Sequence, residues 1–193
     1  MQSFYHNAIN VLWLIWCIYW FVAAASAKPT RRRESIGSRV YHIGLLVLGI
    51  ALFSSSRIAS PYLTARYLPR TDAFFWLGFI LVALGLAIAI AARIWLGGNW
   101  SGTVTLKQNH ELIRTGPYRF VRHPIYTGIL LAILGSAIAQ GELRGLVGLA
   151  LIAAAFIHKI RVEETFLTEE FGPAYRRFQQ EVPALVPLVR WPR

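Results

Sequence analysis

The apolar residues of this chain fall into five blocks separated by polar connections. Ala8 to Ala27 and Ala73 to Ala92 each run 20 residues without a charge, about 30 Å of helix at 1.5 Å per residue and enough to cross the hydrocarbon of a bilayer. Val40 to Phe53 is shorter and extends back to Gly37. Ile125 to Ala139 and Leu146 to Ile157 are also short, and Gln140-Gly-Glu-Leu-Arg-Gly145 joins them. That pair predicts a tight helical hairpin near the lower length limit for full crossing.

The blocks are continuous rather than amphipathic, so the expected fold is all-α: an integral membrane protein of about five transmembrane helices, with further cytoplasmic helices at the C-terminus. No long polar stretch could bury a core of its own, which makes 1–193 a single membrane domain. Within it, 1–95 carries three N-terminal spans and 96–193 carries the motifs. The first block reads as a retained anchor rather than a signal peptide. No basic residue precedes it, and Lys28, Arg31, Arg32 and Arg33 follow it as a stop-transfer cluster.

Composition agrees with this reading: 55% of residues are hydrophobic, 15% charged, and the net charge is +11. With five crossings, 16 of the 20 Lys and Arg residues share one side, and only Arg57, Arg66, Arg70 and Arg144 lie on the other. Basic residues near helix ends favour the cytoplasm, so the N-terminus is expected outside and the C-terminus inside. The charge is then topology and attraction to anionic lipid, with no nucleic-acid partner expected. Cys17 is the sole cysteine, which excludes a disulfide framework and a thiolate metal site. Trp13, Trp16, Tyr19 and Trp20 are expected to serve interfacial anchoring and helix packing.

The densest chemistry lies in His110-Glu-Leu-Ile-Arg-Thr-Gly-Pro-Tyr118-Arg-Phe-Val-Arg-His123-Pro-Ile-Tyr126-Thr-Gly128. Pro124 starts a helix, because a proline in the first turn removes no hydrogen bond. The free N–H groups of that first turn, beside Arg119, Arg122 and His123, suit an anion such as a carboxylate, and Tyr118 and Tyr126 add aromatic faces for a purine or a cation. The plainer alternative has the arginines on lipid phosphates and His123 as a helix cap. A second polar segment, Lys159-Ile-Arg161-Val-Glu163-Glu164, returns to the same face. Adjacent carboxylates on a helix point about 100° apart, so one can face a site and the other water. Here the plainer alternative is a solvated helix with a Lys159–Glu163 ion pair. Gly172-Pro173 should break the following helix, and Val182-Pro-Ala-Leu-Val-Pro187 should fold back as an extended lid.

Several reaction classes lack their motifs. No G-x-G-x-x-G follows a strand, and there is no phosphate-binding G-x-x-x-x-G-K-[ST], no H-E-x-x-H and no nucleophilic serine elbow. No metal site is expected. Charges inside the apolar spans are nearly absent, which disfavours an ion pathway.

The paired segments resemble the isoprenylcysteine carboxyl methyltransferase family of membrane methyltransferases. The resemblance rests on Leu112, Thr115-Gly116-Pro117-Tyr118, Arg122-His123-Pro124-x-Tyr126-x-Gly128, Glu163-Glu164, Phe171-Gly172-x-x-Tyr175 and Val182-Pro-x-x-x-Pro187. The R-H-P-x-Y-x-G element alone is also similar to phospholipid methyltransferases and to membrane sterol reductases. The resemblance implies S-adenosylmethionine as methyl donor and a lipophilic or prenylated acceptor arriving from the bilayer. It implies a cofactor pocket lined by His110, Glu111, Leu112, Ile113, Tyr118, Arg122, His123, Pro124, Ile125, Tyr126 and one of Glu163 or Glu164. A basic residue beside the acidic pair would hold the acceptor: Arg161 is favoured over Lys159 because a guanidinium grips a carboxylate at two points. Arg161, Glu163 and Glu164 are thus the expected catalytic set. Phospholipid N-methylation, a nicotinamide-dependent reductase and a non-catalytic scaffold are the competing readings.

Overall fold

The computed structural model describes residues 2–25, 30–55, 59–100, 105–107 and 111–187. Helix α1 (Gln2–Ala24) leads through strand β1 (Thr30–Arg33) to α2 (Ile36–Ser54) and α3 (Asp72–Leu96). Strand β2 (Thr105–Lys107) and a 3-10 turn (Gly116–Arg119) then precede α4 (Pro124–Gln140), α5 (Leu143–Phe171) and α6 (Pro173–Glu181). Four of these helices (α1, α2, α3 and α5) are long and apolar enough to cross a membrane, and α4 is a shorter apolar helix. This is the five-helix membrane arrangement expected from the apolar blocks.

Helix ends follow local chemistry. The Ser35 hydroxyl accepts the Ser38 N–H at the start of α2, and Thr71 accepts that of Phe74 at the start of α3. Gly141 adopts a left-handed φ of 66° and ends α4, so the α4–α5 turn is as tight as expected. Helix α5 continues past the apolar block to Phe171, and Gly172-Pro173 ends it and starts α6 as expected. One element differs from expectation. The β1–β2 pair, antiparallel with an irregular register between Thr30 and Arg32, was not expected, since three or four residues show no readable alternation.

Lipid tails are as apolar as leucine, so close backbone packing must hold the spans together. In the α3–α4 contact Gly78 meets Gly135 and Gly85 meets Gly128. A Cβ added to any of the four would lie 2.4–2.5 Å from the opposing carbonyl oxygen. Helix α2 packs on α5, where Gly49 faces Ile152 and Gly148 faces Phe53. Helix α1 rests on α3, and its Trp13 indole donates to Ser136 Oγ of α4 at 3.1 Å. The result is a wall of α3, α4 and α5 flanked by α1 and α2.

The two ends of this wall are distinct. The β1–β2 ribbon joins the connections that follow α1 and α3, placing them on one face. At the other end Arg66 and Glu142 form a β-bridge, Tyr67 N–H donates to Gly141 O at 3.0 Å and Leu143 N–H to Ala65 O at 3.0 Å. The α2–α3 connection is thereby stapled to the α4–α5 turn.

Candidate active site

Gly116 opens the approach to the site. Its φ is 57°, and an added Cβ would lie 2.4 Å from the Trp95 ring, so this turn requires glycine. Trp95 Nε1 donates to Thr115 Oγ1 at 3.0 Å, and the turn delivers Tyr118, buried, with its hydroxyl donating to Ala92 O at 3.4 Å. Burial, with the Glu163 charge adding to it, pushes the Tyr118 phenol well above its ordinary pKa and keeps it neutral.

His123 occupies the cap position of α4, but its ring makes no capping bond. Instead it sits between the two adjacent carboxylates of α5. Nε2 lies 3.1 Å from Glu164 Oε1 and Nδ1 lies 3.5 Å from Glu163 Oε2. The Tyr126 hydroxyl donates to Glu163 Oε1 at 2.5 Å. The Tyr126 ring stacks on His123 at 5.7 Å and on Phe156 at 4.8 Å, and the Lys159 ammonium lies 5.4 Å from its centroid. Glu163 therefore takes His123 and Tyr126 as partners, where the plainer sequence alternative paired it with Lys159.

Glu164 does different work. Its Oε1 accepts from Arg122 Nε at 2.7 Å and pairs with Nη2 at 2.6 Å, and its Oε2 accepts from Gln179 Nε2 at 3.1 Å. Arg122 Nη1 also donates to Gln179 O and to Val182 O. The tail 182–187 folds back, and Pro183 O and Ala184 O accept the backbone N–H groups of Arg122 and His123 at 2.8 and 3.0 Å. Leu185 O accepts from Thr127 Oγ1 at 2.7 Å. Tyr175, nearly fully buried against α5, has its phenol pushed far above the ordinary range by burial, with the Glu164 charge adding to it.

A cavity of about 1390 Å³ runs from this cluster into the apolar wall. Of the expected site residues, Tyr118, Arg122, His123, Ile125, Tyr126 and Glu163 line it. Pro124 is fully buried, and Glu164 faces the α6 side, so neither carboxylate simply faces water as expected from their spacing. Glu111, Leu112 and Ile113 line a neighbouring cavity of about 60 Å³ that shares Leu96, Tyr118, Arg122 and Leu167 with the first. His110 lies outside the described residues. Arg122 lines both cavities while its guanidinium pairs with Glu164 and donates to two carbonyls. Arg161 is on the exposed face of α5, whereas Lys159, two residues earlier, is buried and lines the cavity. The two basic residues thus lie on opposite sides of α5, as two positions at 100° per residue must, and of the two Lys159 lines the cavity.

Sequence reasoning also missed the wall opposite α4. Trp13, Trp16 and Trp20 of α1, read as packing and anchoring groups, line the cavity. Trp16 stacks on Trp20 at 4.8 Å, and Trp20 meets Trp100 edge-on at 5.3 Å. The Arg93 guanidinium lies 4.5 Å from the Trp100 centroid. The signal available was the spacing of three and four residues between those indoles, which puts them on one helical stripe.

Comparison with known proteins adds a second line of evidence. The family described as phospholipid methyltransferase matches residues 73–174, just over half of the chain. A protein-S-isoprenylcysteine O-methyltransferase of Schizosaccharomyces pombe is 32% identical over 116 residues, covering 58% of this chain and 48% of its own. Protein-S-isoprenylcysteine O-methyltransferase A of Arabidopsis thaliana is 26% identical over 174 residues, covering 77% and 88%. The chain thus spans about half the length of the first relative and most of the second. Among solved structures, a eukaryotic intramembrane Ras methyltransferase matches with a TM-score of 0.52 at 21% identity, over 80% of this chain and 64% of that one, a likeness of fold.

Proposed function

Because this chain belongs to the phospholipid methyltransferase family, we propose that it is an S-adenosylmethionine-dependent methyltransferase that esterifies the carboxylate of an isoprenylcysteine-like or other lipophilic acceptor. The observation that carries this reading is the single cavity that joins the His123–Tyr126–Glu163 cluster to an apolar interior. A polar donor and an apolar acceptor tail can occupy one continuous space, whose 1390 Å³ exceeds the roughly 300–1,000 Å³ typical of a one-ligand pocket.

The residues fit the donor. Glu163 presents a carboxylate to ribose hydroxyls or to an ammonium, and the Ile125 and Tyr126 N–H groups of the first turn of α4 suit the methionyl carboxylate. Bound S-adenosylmethionine supplies an electrophilic methyl group. The protein's task is then to orient and desolvate the acceptor, because a carboxylate is already ionised near neutral pH and needs no base. Lys159 takes the acceptor's charge, and Glu164, through His123 and Arg122, fixes the geometry of the mouth. The basic asymmetry supports a cytoplasmic mouth and an external N-terminus.

A second reading, methylation of a phospholipid amine, is favoured by the family description and by a carboxylate at the cavity wall able to take a proton. Transfer of labelled methyl to farnesylcysteine and to phosphatidylethanolamine across pH 6 to 9 tests the two. Ester formation independent of pH supports the first reading. Transfer confined to the amine, and falling as it protonates, replaces it with the second.

A further inference from the structure

We propose that a polar plug at the far end of the cavity sets the longest hydrocarbon chain the acceptor can carry, at about four isoprene units; this rests on the reading of the cavity as a lipophilic acceptor site. The cavity face of α4 runs through Tyr126, Ile129, Ile133, Ser136 and Gln140. Fourteen residues of helix separate its ends, about 21 Å at 1.5 Å per residue. Each isoprene unit adds four chain bonds of ~1.5 Å, or about 5 Å in projection, so four units fill that depth.

The walls over this distance are apolar, with Leu46, Ile50 and Phe53 of α2 opposite Ile129 and Ile133. The far end is not. Arg144, 8% exposed, donates through Nη1 to Leu52 O at 2.9 Å and Phe53 O at 2.7 Å, and through Nε to Glu142 Oε2 at 2.6 Å. Arg66 Nη1 donates to Gln140 O at 3.0 Å, and Gln140 Nε2 donates to Phe53 O at 3.3 Å. All but the Arg144–Glu142 bond tie the end of α2 or the α2–α3 connection to the α4–α5 turn, and that bond orients Arg144 within the turn. The plug is therefore part of the scaffold, and a chain cannot push through it without breaking polar contacts, those of Arg144 buried or partly buried.

A tail leaving bilayer hydrocarbon for this cavity exchanges one apolar surrounding for another, so length up to the plug is nearly neutral. Beyond it each methylene is forced against polar groups, weakening binding about fourfold per methylene.

The test uses the full-length detergent-solubilised protein with S-adenosylhomocysteine bound, and S-isoprenylcysteines of two to six units competing against tritiated farnesylcysteine. Binding should hold through four units and fall at least tenfold at five. Ile50 lines the cavity one turn from the outer end of α2, with much of its side chain facing outward, so Ile50→Trp narrows the space just short of the plug. This variant should move the limit to three units, with retained S-adenosylhomocysteine binding showing that it is folded. Equal binding of five- and six-unit chains, as when the tail leaves sideways into the lipid, overturns the plug; so does an unchanged limit in Ile50→Trp. A length limit in binding without any methyl transfer overturns the reaction and keeps the plug, and no binding by any chain overturns both.

Discussion

The Tyr126 hydroxyl donates to Glu163 Oε1 at 2.5 Å, tying the first turn of α4 to the C-terminal half of α5 at the mouth of the cavity. Removing that donor leaves the half-buried carboxylate one partner short. Tyr126→Phe and Glu163→Gln should each weaken S-adenosylhomocysteine binding by about 1–3 kcal/mol, as expected for loss of one partner in a buried polar contact. Calorimetry on both variants checks this, and unchanged affinity in both, with melting curves intact, removes Glu163 from the site.

Glu164 should behave differently from its neighbour. It pairs with Arg122, whose side chain is only 7% exposed, so Glu164→Gln strands a buried guanidinium. The expected cost is about 3 kcal/mol of stability. Thermal melting should fall clearly for Glu164→Gln and little for Glu163→Gln, and equal melting temperatures contradict this division of roles.

Lys159 and Arg161 make a second contrasting pair. Lys159→Ala should raise the acceptor KM tenfold or more with S-adenosylhomocysteine affinity nearly unchanged, while Arg161→Ala leaves both near wild type. Kinetics on farnesylcysteine decide this, and the reverse order restores Arg161.

The α3–α4 seam offers a packing test. Gly85→Val drives a Cβ to within 2.4 Å of Gly128 O, whereas Gly44 has nothing within 4 Å. Overpacking of this kind costs about 1–3 kcal/mol or more, so Gly85→Val should lower the melting temperature and Gly44→Val should not. Similar shifts in both variants contradict the close approach.

How much of this was legible in the sequence varies by residue. The spans were, because 20 uncharged residues have few other fates. Pro124 and Gly172-Pro173 marked helix boundaries because each acts locally. His123, Tyr126 and the acidic pair were singled out by type, but their pairing depends on the rotation of α5 against α4. That rotation is fixed by packing that no local pattern encodes, so the sequence does not show that Lys159 lies on the cavity side of α5, Arg161 on the exposed side and Arg122 against Glu164. The α1 indoles looked like packing groups for the same reason: a cavity is made by what fails to meet them, and that is a property of three other helices.

The most direct measurement is calorimetry of the purified wild-type protein with S-adenosylhomocysteine and, separately, with NADPH. The account predicts saturable one-to-one binding of S-adenosylhomocysteine, weakened in Glu163→Gln, and no heat with NADPH. Saturable binding of NADPH with none of S-adenosylhomocysteine would contradict it.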